Sequence, residues 1–452
     1  MSAVPSIGVG MVGYAFMGRA HSQAWQAVSR AFDPPLRPRL AAICGRDQAA
    51  TCAAADRLGW AAAETDWRSL IARDDVQLVD IVAPGSVHAP IAIAALQAGK
   101  HVLCEKPLAN TLAEAELMSA AADAAFPSGA RAMVGFNYRR VPALALARRL
   151  VEQGRIGVLR HVRAVYLQDW LVDPDSPLTW RMQAEQAGSG ALGDLGAHIV
   201  DLARFLTGDE IAGVSAVSTT FVEERPLPGG AGDGEGDRTR DASGGGTGDA
   251  TGTGGPRRTW TADGTGGADG TGDATRTGVV DETRTADGTR RTGRVTVDDA
   301  VVFTARFASG ALGSFEATRY ASGRKNGLRI ELNGSRGSLA FDLERLNELE
   351  FYDGNDTDAG TTAGFRRILV TEAEHPYLSG WWPPGHILGW EHTFTHQAKD
   401  LLTAIAEGAQ PRPSFGDGLA VQRVLDAAQR SAAAGGGWET IRQTTGSPVR
   451  SG

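Results

Sequence analysis

Residues 6–20 read SIGVGMVGYAFMGRA, and the way this stretch divides decides the fold. Two glycine registers compete in it, Gly8-x-Gly10-x-x-Gly13 and Gly13-x-Ala15-x-x-Gly18. The first leaves only residues 5–7 as a strand, whereas the second yields a strand over 6–12, a tight turn at Gly13 and a helix opening near Phe16. The second is the expected register. Its turn presents backbone N–H groups at a helix N-terminus, where aligned peptide dipoles favour a pyrophosphate. Ala15 stands at the position of the usual middle glycine, so a bound phosphate must tolerate one methyl group. Taken alone, the motif is equally a glycine-rich turn of any doubly wound protein, and its surroundings decide.

Working outward, short apolar runs at 7–12, 40–44, 78–82, 101–104 and 132–136 alternate with helix-patterned stretches such as 90–98 and 112–125. Parallel strands need a crossover and helices supply it, so residues 1–138 read as an α/β Rossmann domain. From about residue 139 the pattern becomes a helix (143–153), a strand (159–167), a helix (194–206), strand candidates at 300–307, 311–318, 328–333 and 338–341, and two late helices near 393–407 and 416–433. Consecutive strands with segregated helices predict an α+β C-terminal domain over 139–452 with a large, mainly antiparallel open sheet. Two domains also follow from length, since 452 residues exceed what one core normally serves.

Residues 226–294 belong to neither pattern. They hold 20 of the 58 glycines, and from Gly229 onward their only large apolar side chains are Trp260, Val279 and Val280. So little apolar surface does not offset the entropy of ordering, and a disordered Gly/Thr/Asp-rich insertion is expected, its flanks at 223–225 and 295–297 lying side by side.

A net charge of −8 repels a phosphate backbone, which argues against nucleic acid and anionic membranes and for a small-molecule partner. No apolar run is long enough to span a bilayer. Cys44, Cys52 and Cys104 are an odd number without CxxC spacing, and residues 1–12 carry no signal-peptide pattern, so a cytoplasmic location is expected.

Chemistry-bearing residues gather at three places. The second strand ends in Gly45-Arg46-Asp47, a glycine where a ribose-binding carboxylate is usual. Arg46 can pair with a 2′-phosphate or be a solvated surface charge, and Asp47 can still reach a ribose diol, which leans the reading slightly toward NADP within NAD(P). The run at 100–104 ends in Glu105-Lys106-Pro107, which sets Lys106 at the carboxyl end of a parallel strand, where such sheets bind ligands. A surface lysine before a helix-breaking proline fits as well. On an ideal helix Asp194, His198 and Asp201 fall at i, i+4 and i+7, on one face. That face can be a metal site, a buried core histidine, or a general base tuned by its carboxylate neighbour. His392 and His396 also have metal-ligand spacing, but read better as polar positions on an amphipathic helix.

The nucleotide turn followed by His21, the strand end Glu105-Lys106-Pro107, and Asp194-x-Gly196-x-His198-x-x-Asp201 resemble the Gfo/Idh/MocA oxidoreductases. Longer motifs at 136–140, 166–170, 176–181 and 189–194 resemble its levoglucosan dehydrogenase-type branch, whereas the loop at 376–385, with Trp381-Trp382-Pro383-Pro384, is not mapped by the resemblance. The resemblance implies a Rossmann domain followed by a domain whose open sheet walls the substrate site and commonly forms an oligomer interface, so a homo-oligomer is expected. It maps the family's catalytic lysine, aspartate and histidine onto Lys106, Asp194 and His198. Cofactor contacts are then expected from Gly13, Ala15, Phe16, Met17, Gly18, Arg46, Pro84, His88, Glu105 and Lys106, with no metal. Substrate contacts are expected from Tyr138, Arg139, Trp170, Trp180 and Arg181, since ring faces suit polyol C–H faces and a guanidinium suits hydroxyls. The implied reaction is oxidation of a secondary hydroxyl of a sugar, anhydrosugar or cyclitol by hydride transfer to nicotinamide. An NAD-dependent glycosidase, releasing an aglycone without net NAD(P)H, and a non-catalytic nucleotide-binding regulator are the rival readings.

Overall fold

A computed structural model describes residues 4–228, 291–355 and 359–442. The first sheet is built from β1 (Ser6–Val12), α1 (Phe16–Ala31), β2 (Arg37–Cys44), α2 (Gln48–Leu58), β3 (Ala63–Glu64), α3 (Trp67–Ala72), β4 (Leu78–Ile81), α4 (His88–Gln97), β5 (His101–Cys104), α5 (Leu112–Ala125) and β6 (Ala132–Val134). Its six strands lie in the order β3-β2-β1-β4-β5-β6, and every pairing between them is parallel. The order reverses beside β1, which opens a crevice beyond the carboxyl ends of β1 and β4. Gly8 and Gly10 lie inside β1, where a Cβ on Gly10 would sit 2.7 Å from the Leu70 side chain. They are packing glycines, and the turn belongs to Gly13. β2 starts at Arg37, ahead of the apolar run at 40–44. Pro38 is tolerated there because the pairing of β2 with β3 involves only Ile43 and Cys44, so no ladder bond is lost on that edge.

The second sheet follows from α6 (Pro142–Glu152), β7 (Leu159–Leu167), α7 (Ala184–Ala187), α8 (Ala197–Thr207), β8 (Ile211–Thr219), β9 (Glu224–Pro226), β10 (Thr292–Arg294), β11 (Ala300–Phe307), β12 (Leu312–Thr318), β13 (Gly327–Gly334), β14 (Gly337–Asp342), β15 (Glu348–Asp353), α9 (Ala359–Thr362), β16 (Arg366–Leu369), α10 (His392–Glu407), α11 (Phe415–Ala433) and β17 (Glu439–Thr440). Nine strands lie in the order β16-β15-β14-β13-β7-β12-β11-β8-β17, antiparallel except for β7 beside β12. In β11, Val301, Phe303, Ala305 and Phe307 are buried while Val302, Thr304 and Arg306 are exposed, so one face packs and the other is open. β8, β15 and β16 escaped the sequence pattern because they are rich in small or charged residues.

Two long-range packings complete the fold. From α10, Ala398, Leu401 and Leu402 complete a core with Trp25, Val28 and Leu103, so a helix late in the chain closes the first sheet. The flanks of the insertion also meet: β9 pairs with β10, and Leu227 N–H donates to the Arg291 carbonyl at 2.9 Å. Of the segment at 226–294 expected to be disordered, residues 229–290 lie outside the described residues. No described helix is long and apolar enough to cross a membrane.

Candidate active site

Gly13 adopts a φ of 105°, the left-handed region that favours glycine, and a Cβ there would lie 2.9 Å from the Val82 carbonyl oxygen. Gly18 is pressed on the Gly13 carbonyl, 2.7 Å from where its Cβ would be. Ala15 opens α1 without a side-chain cap, and the first turn holds no acidic residue. The leading N–H groups of α1, from Phe16, Met17 and Gly18, therefore have no side-chain acceptor at the cap, which fits a pyrophosphate. Pro84 opens the turn after β4, two residues beyond the Val82 that Gly13 packs against. Phe16 stacks on Trp390, ring centroids 5.3 Å apart.

At the end of β2, a Cβ on Gly45 would lie 2.1 Å from the Tyr14 ring, so the Tyr14 packing excludes a carboxylate there. Asp47 caps α2, accepting from Ala50 N–H at 2.7 Å, and Arg46 is exposed beside it.

Across the crevice, Lys106 Nζ donates to the Asp194 carbonyl at 2.8 Å and to Asp194 Oδ1 at 3.1 Å. Asp194 is not on an ideal α-helix: Leu192–Gly196 form a π-helical turn before α8. Asp298 holds that turn, accepting from Gly190 N–H at 2.7 Å and Leu192 N–H at 2.8 Å. Burial works against ionisation of Asp194, but the Lys106, Arg181 and Arg319 cations hold its carboxyl well below the usual carboxylate range. For His198, burial and then the Lys106 cation outweigh Asp194 and keep the imidazole neutral. Its ring lies 4.6 Å from Tyr138 and 5.8 Å from Tyr166, with Phe136 at its edge.

A polar chain runs outward from these tyrosines. Tyr166 donates to Asn326 Oδ1 at 2.7 Å, which makes Tyr138 the donor in its 2.9 Å contact with Tyr166. Gln168 Nε2 donates to the same Asn326 oxygen at 2.8 Å, and Trp170 Nε1 donates to Gln168 Oε1 at 3.0 Å. Arg181 lies over the Trp180 ring at 4.5 Å, and buried Arg319 faces Trp170 at 5.5 Å.

Lys106, Asp194, His198, Tyr138 and Arg181 thus converge, and five expectations need correction. Arg139 does not face the crevice: it is buried, its Nε and Nη2 donating to the two Asp201 oxygens at 2.9 and 2.6 Å. Asp201 leaves the Asp194–His198 face for the same reason, since the π turn breaks the i, i+7 geometry and Arg139 claims the carboxylate. His88 is 2% exposed, with its ring nitrogens 3.1 Å from the Pro107 carbonyl and 2.9 Å from that of Ala83, so it ties two loops together rather than meeting a cofactor. Glu105 is also buried, one oxygen 3.1 Å from His21 Nε2 and the other accepting from Lys106 N–H at 3.1 Å. His396 receives a 2.7 Å hydrogen bond from Trp381 Nε1, with its Nδ1 2.9 Å from the Arg140 carbonyl, so it is a core residue.

Sequence reasoning left Tyr166, Gln168, Asn326, Asp298 and Arg319 without a role. The period-2 spacing of Tyr166 and Gln168 at the end of β7 carried a signal. The others carried none, because only the sheet order brings the ends of β12 and β13 beside β7.

An uncapped helix terminus at a switch point, facing a lysine–aspartate pair and a neutral histidine, defines a nucleotide-dependent oxidoreductase site. The chain belongs to the Gfo/Idh/MocA family: residues 7–136 match its oxidoreductase family, NAD-binding Rossmann fold model, and residues 144–251 and 276–340 match its C-terminal domain. It is similar to the levoglucosan dehydrogenase of Pseudarthrobacter phenanthrenivorans, 40% identical over 95% of this chain and 96% of that protein. Among solved structures it resembles an oxidoreductase domain protein from Kribbella flavida, with 55% identity, a TM-score of 0.82 and coverage of 97% of this chain and 100% of that one. It also resembles a levoglucosan dehydrogenase in complex with NADH and levoglucosan, with 38% identity, a TM-score of 0.80 and coverage of 97% and 100%.

Proposed function

We propose that this protein is an NAD(P)-dependent dehydrogenase that oxidises a secondary hydroxyl of a sugar, anhydrosugar or cyclitol, with a levoglucosan-like anhydrosugar as the preferred class. The observation that carries this reading is the 3.1 Å contact between Lys106 Nζ and Asp194 Oδ1, with the neutral ring of His198 in the same crevice. The similarity to levoglucosan dehydrogenase over nearly the whole chain supports the substrate class.

A bound dinucleotide supplies the hydride acceptor. Lys106 donates a hydrogen bond to the substrate oxygen and stabilises negative charge as it develops. His198, being neutral, takes the hydroxyl proton. Asp194 holds the Lys106 ammonium in place, and its own anionic state is secured by Arg181 and Arg319. Tyr138, Trp170 and Trp180 offer ring faces to the C–H faces of the substrate, while Arg181, Gln168 and Asn326 offer partners to its hydroxyls. The same aromatic wall excludes water.

The family supports NAD as a cofactor. Gly45 and the exposed Arg46 support acceptance of a 2′-phosphate too, with a modest preference for NADP. The open face of the large sheet, where Val217 and Val302 are exposed opposite each other, supports a homo-oligomer.

A panel of sugars, anhydrosugars and inositols, assayed by nicotinamide absorbance with each dinucleotide, tests this function. Turnover is expected to be fastest with an anhydrosugar. Absence of dinucleotide reduction with every polyol, or release of an aglycone without net reduction, would overturn it.

A further inference from the structure

Beneath the crevice lies a buried charged cluster that the proposed reaction does not use. His21, on the buried face of α1 and 1% exposed, has Nδ1 3.1 and 3.0 Å from the two oxygens of Asp80 on β4. Its Nε2 is 3.1 Å from Glu105 Oε1, just beyond β5. The remaining neighbours complete the cage: Trp25 Nε1 donates to Asp80 Oδ2 at 2.7 Å, and the uncharged Phe394 ring of α10 lies 5.2 Å from the imidazole. The second Glu105 oxygen accepts from the backbone N–H of Lys106 at 3.1 Å. Gly135 presses on Glu105 from the far side, since a Cβ there would lie 2.6 Å from Oε1.

Two ring nitrogens that each face a carboxylate are both donors only in the imidazolium form. We infer that His21 is a positioning residue: as a buried cation bridging Asp80 and Glu105, it locks the Glu105–Lys106 strand end against the helix whose N-terminus receives the dinucleotide, and so sets the reacting distance of Lys106. The surroundings favour the charged ring, and the bridge sits where it can set a distance. Burial by itself would discharge the ring, but Asp80 and then Glu105 outweigh it and push the pKa of His21 up to about 10. The bridge also spans α1, β4 and β5, the three elements whose relative placement decides how far a lysine at the end of β5 stands from a cofactor at the start of α1. A misplacement of about 1 Å at a reacting centre can cost about a hundredfold in rate.

This inference rests on Lys106 acting at the reacting oxygen, and the test separates the two. In the purified full chain, His21→Gln and Glu105→Ala are expected to lower kcat by about a hundredfold while substrate KM and dinucleotide Kd stay within about threefold. Glu105→Gln keeps one oxygen to accept from the His21 Nε2–H but loses the second acceptor facing the Lys106 N–H, and is expected to recover only part of the kcat lost in Glu105→Ala. Trp60→Phe removes a different buried hydrogen bond to α1, the 3.0 Å bond to Ser22, and is expected to lower thermal stability without the kcat loss. Equal kcat in His21→Gln and Trp60→Phe, or a loss confined to dinucleotide binding, would overturn the bridge. An active Lys106→Ala would instead remove the lysine assignment, whatever the bridge variants do. If the bridge variants do not fold, ring ¹⁵N spectra of the native protein still decide. One of the nine histidines should remain doubly protonated at pH about 8.5, two units above the ordinary value, and finding none would sink the inference.

Discussion

Lys106 Nζ stands 2.8 Å from the carbonyl oxygen and 3.1 Å from the carboxylate of Asp194, a residue 88 positions away that lies in the π turn before α8. Lys106→Ala and His198→Ala should therefore each abolish most turnover, by about a thousandfold or roughly 4 kcal/mol of transition-state stabilisation, while leaving dinucleotide binding nearly intact. Steady-state rates beside a fluorescence titration with the dinucleotide read both quantities. Full turnover by either variant would remove the site assignment.

Cofactor choice is predicted to hinge on Arg46. Its guanidinium is the exposed cation next to a position where Tyr14 leaves no room for a carboxylate. Arg46→Ala should lower kcat/KM with NADP by about tenfold, ~1.4 kcal/mol, and leave that with NAD unchanged. A tenfold higher kcat/KM with NAD in the native protein would reverse the preference.

The Arg139–Asp201 pair is predicted to matter for stability and not for substrate. Both side chains are buried, and removing one partner leaves an uncompensated charge, at a cost of roughly 3–5 kcal/mol. Arg139→Ala should show a lower Tm with substrate KM near native. A raised KM at unchanged Tm would return Arg139 to the substrate site.

Stability should fall on the alkaline side through His21. A histidine whose folded pKa lies above its unfolded value stabilises the fold fully below the unfolded value near 6.5, and that contribution is lost as pH rises toward about 10. Denaturation midpoints between pH 6 and 10 should decline, and the decline should flatten in His21→Gln. A slope that the variant shares with the native protein would assign the effect to other groups.

Excision of residues 229–290, joined by a short Gly/Ser linker, should leave fold and turnover essentially unchanged. Leu227 and Arg291 already exchange a 2.9 Å hydrogen bond, so the cut ends are neighbours, and the deletion must stop before Thr292, which is part of β10. Loop closure scales with the logarithm of length, so the change in stability should be about a kcal/mol or less. Lost activity with retained Tm would give the segment a function.

The sequence by itself was enough for the local grammar. Strand, turn and helix around Gly13 follow from steric rules that act within a few residues, and the ends of β1, β5, β7, β11 and α5 could be read from apolar patterning alone. Lys106, Asp194 and His198 were candidates through the family resemblance, and the fold brings the first two into contact. Which partner each side chain takes was not legible. An ideal helix predicted Asp201 beside Asp194, but a π turn and the Arg139 fork decided otherwise. Glu105 and His88 were expected to contact a cofactor, yet their side chains turn inward to His21 and to loop carbonyls. Asn326 and Arg319 entered the site through strand order, and α10 joined the first sheet across nearly the whole chain. Backbone conformation is set by near neighbours, whereas burial, charge pairing and the direction of a side chain depend on residues that only the folded arrangement brings together.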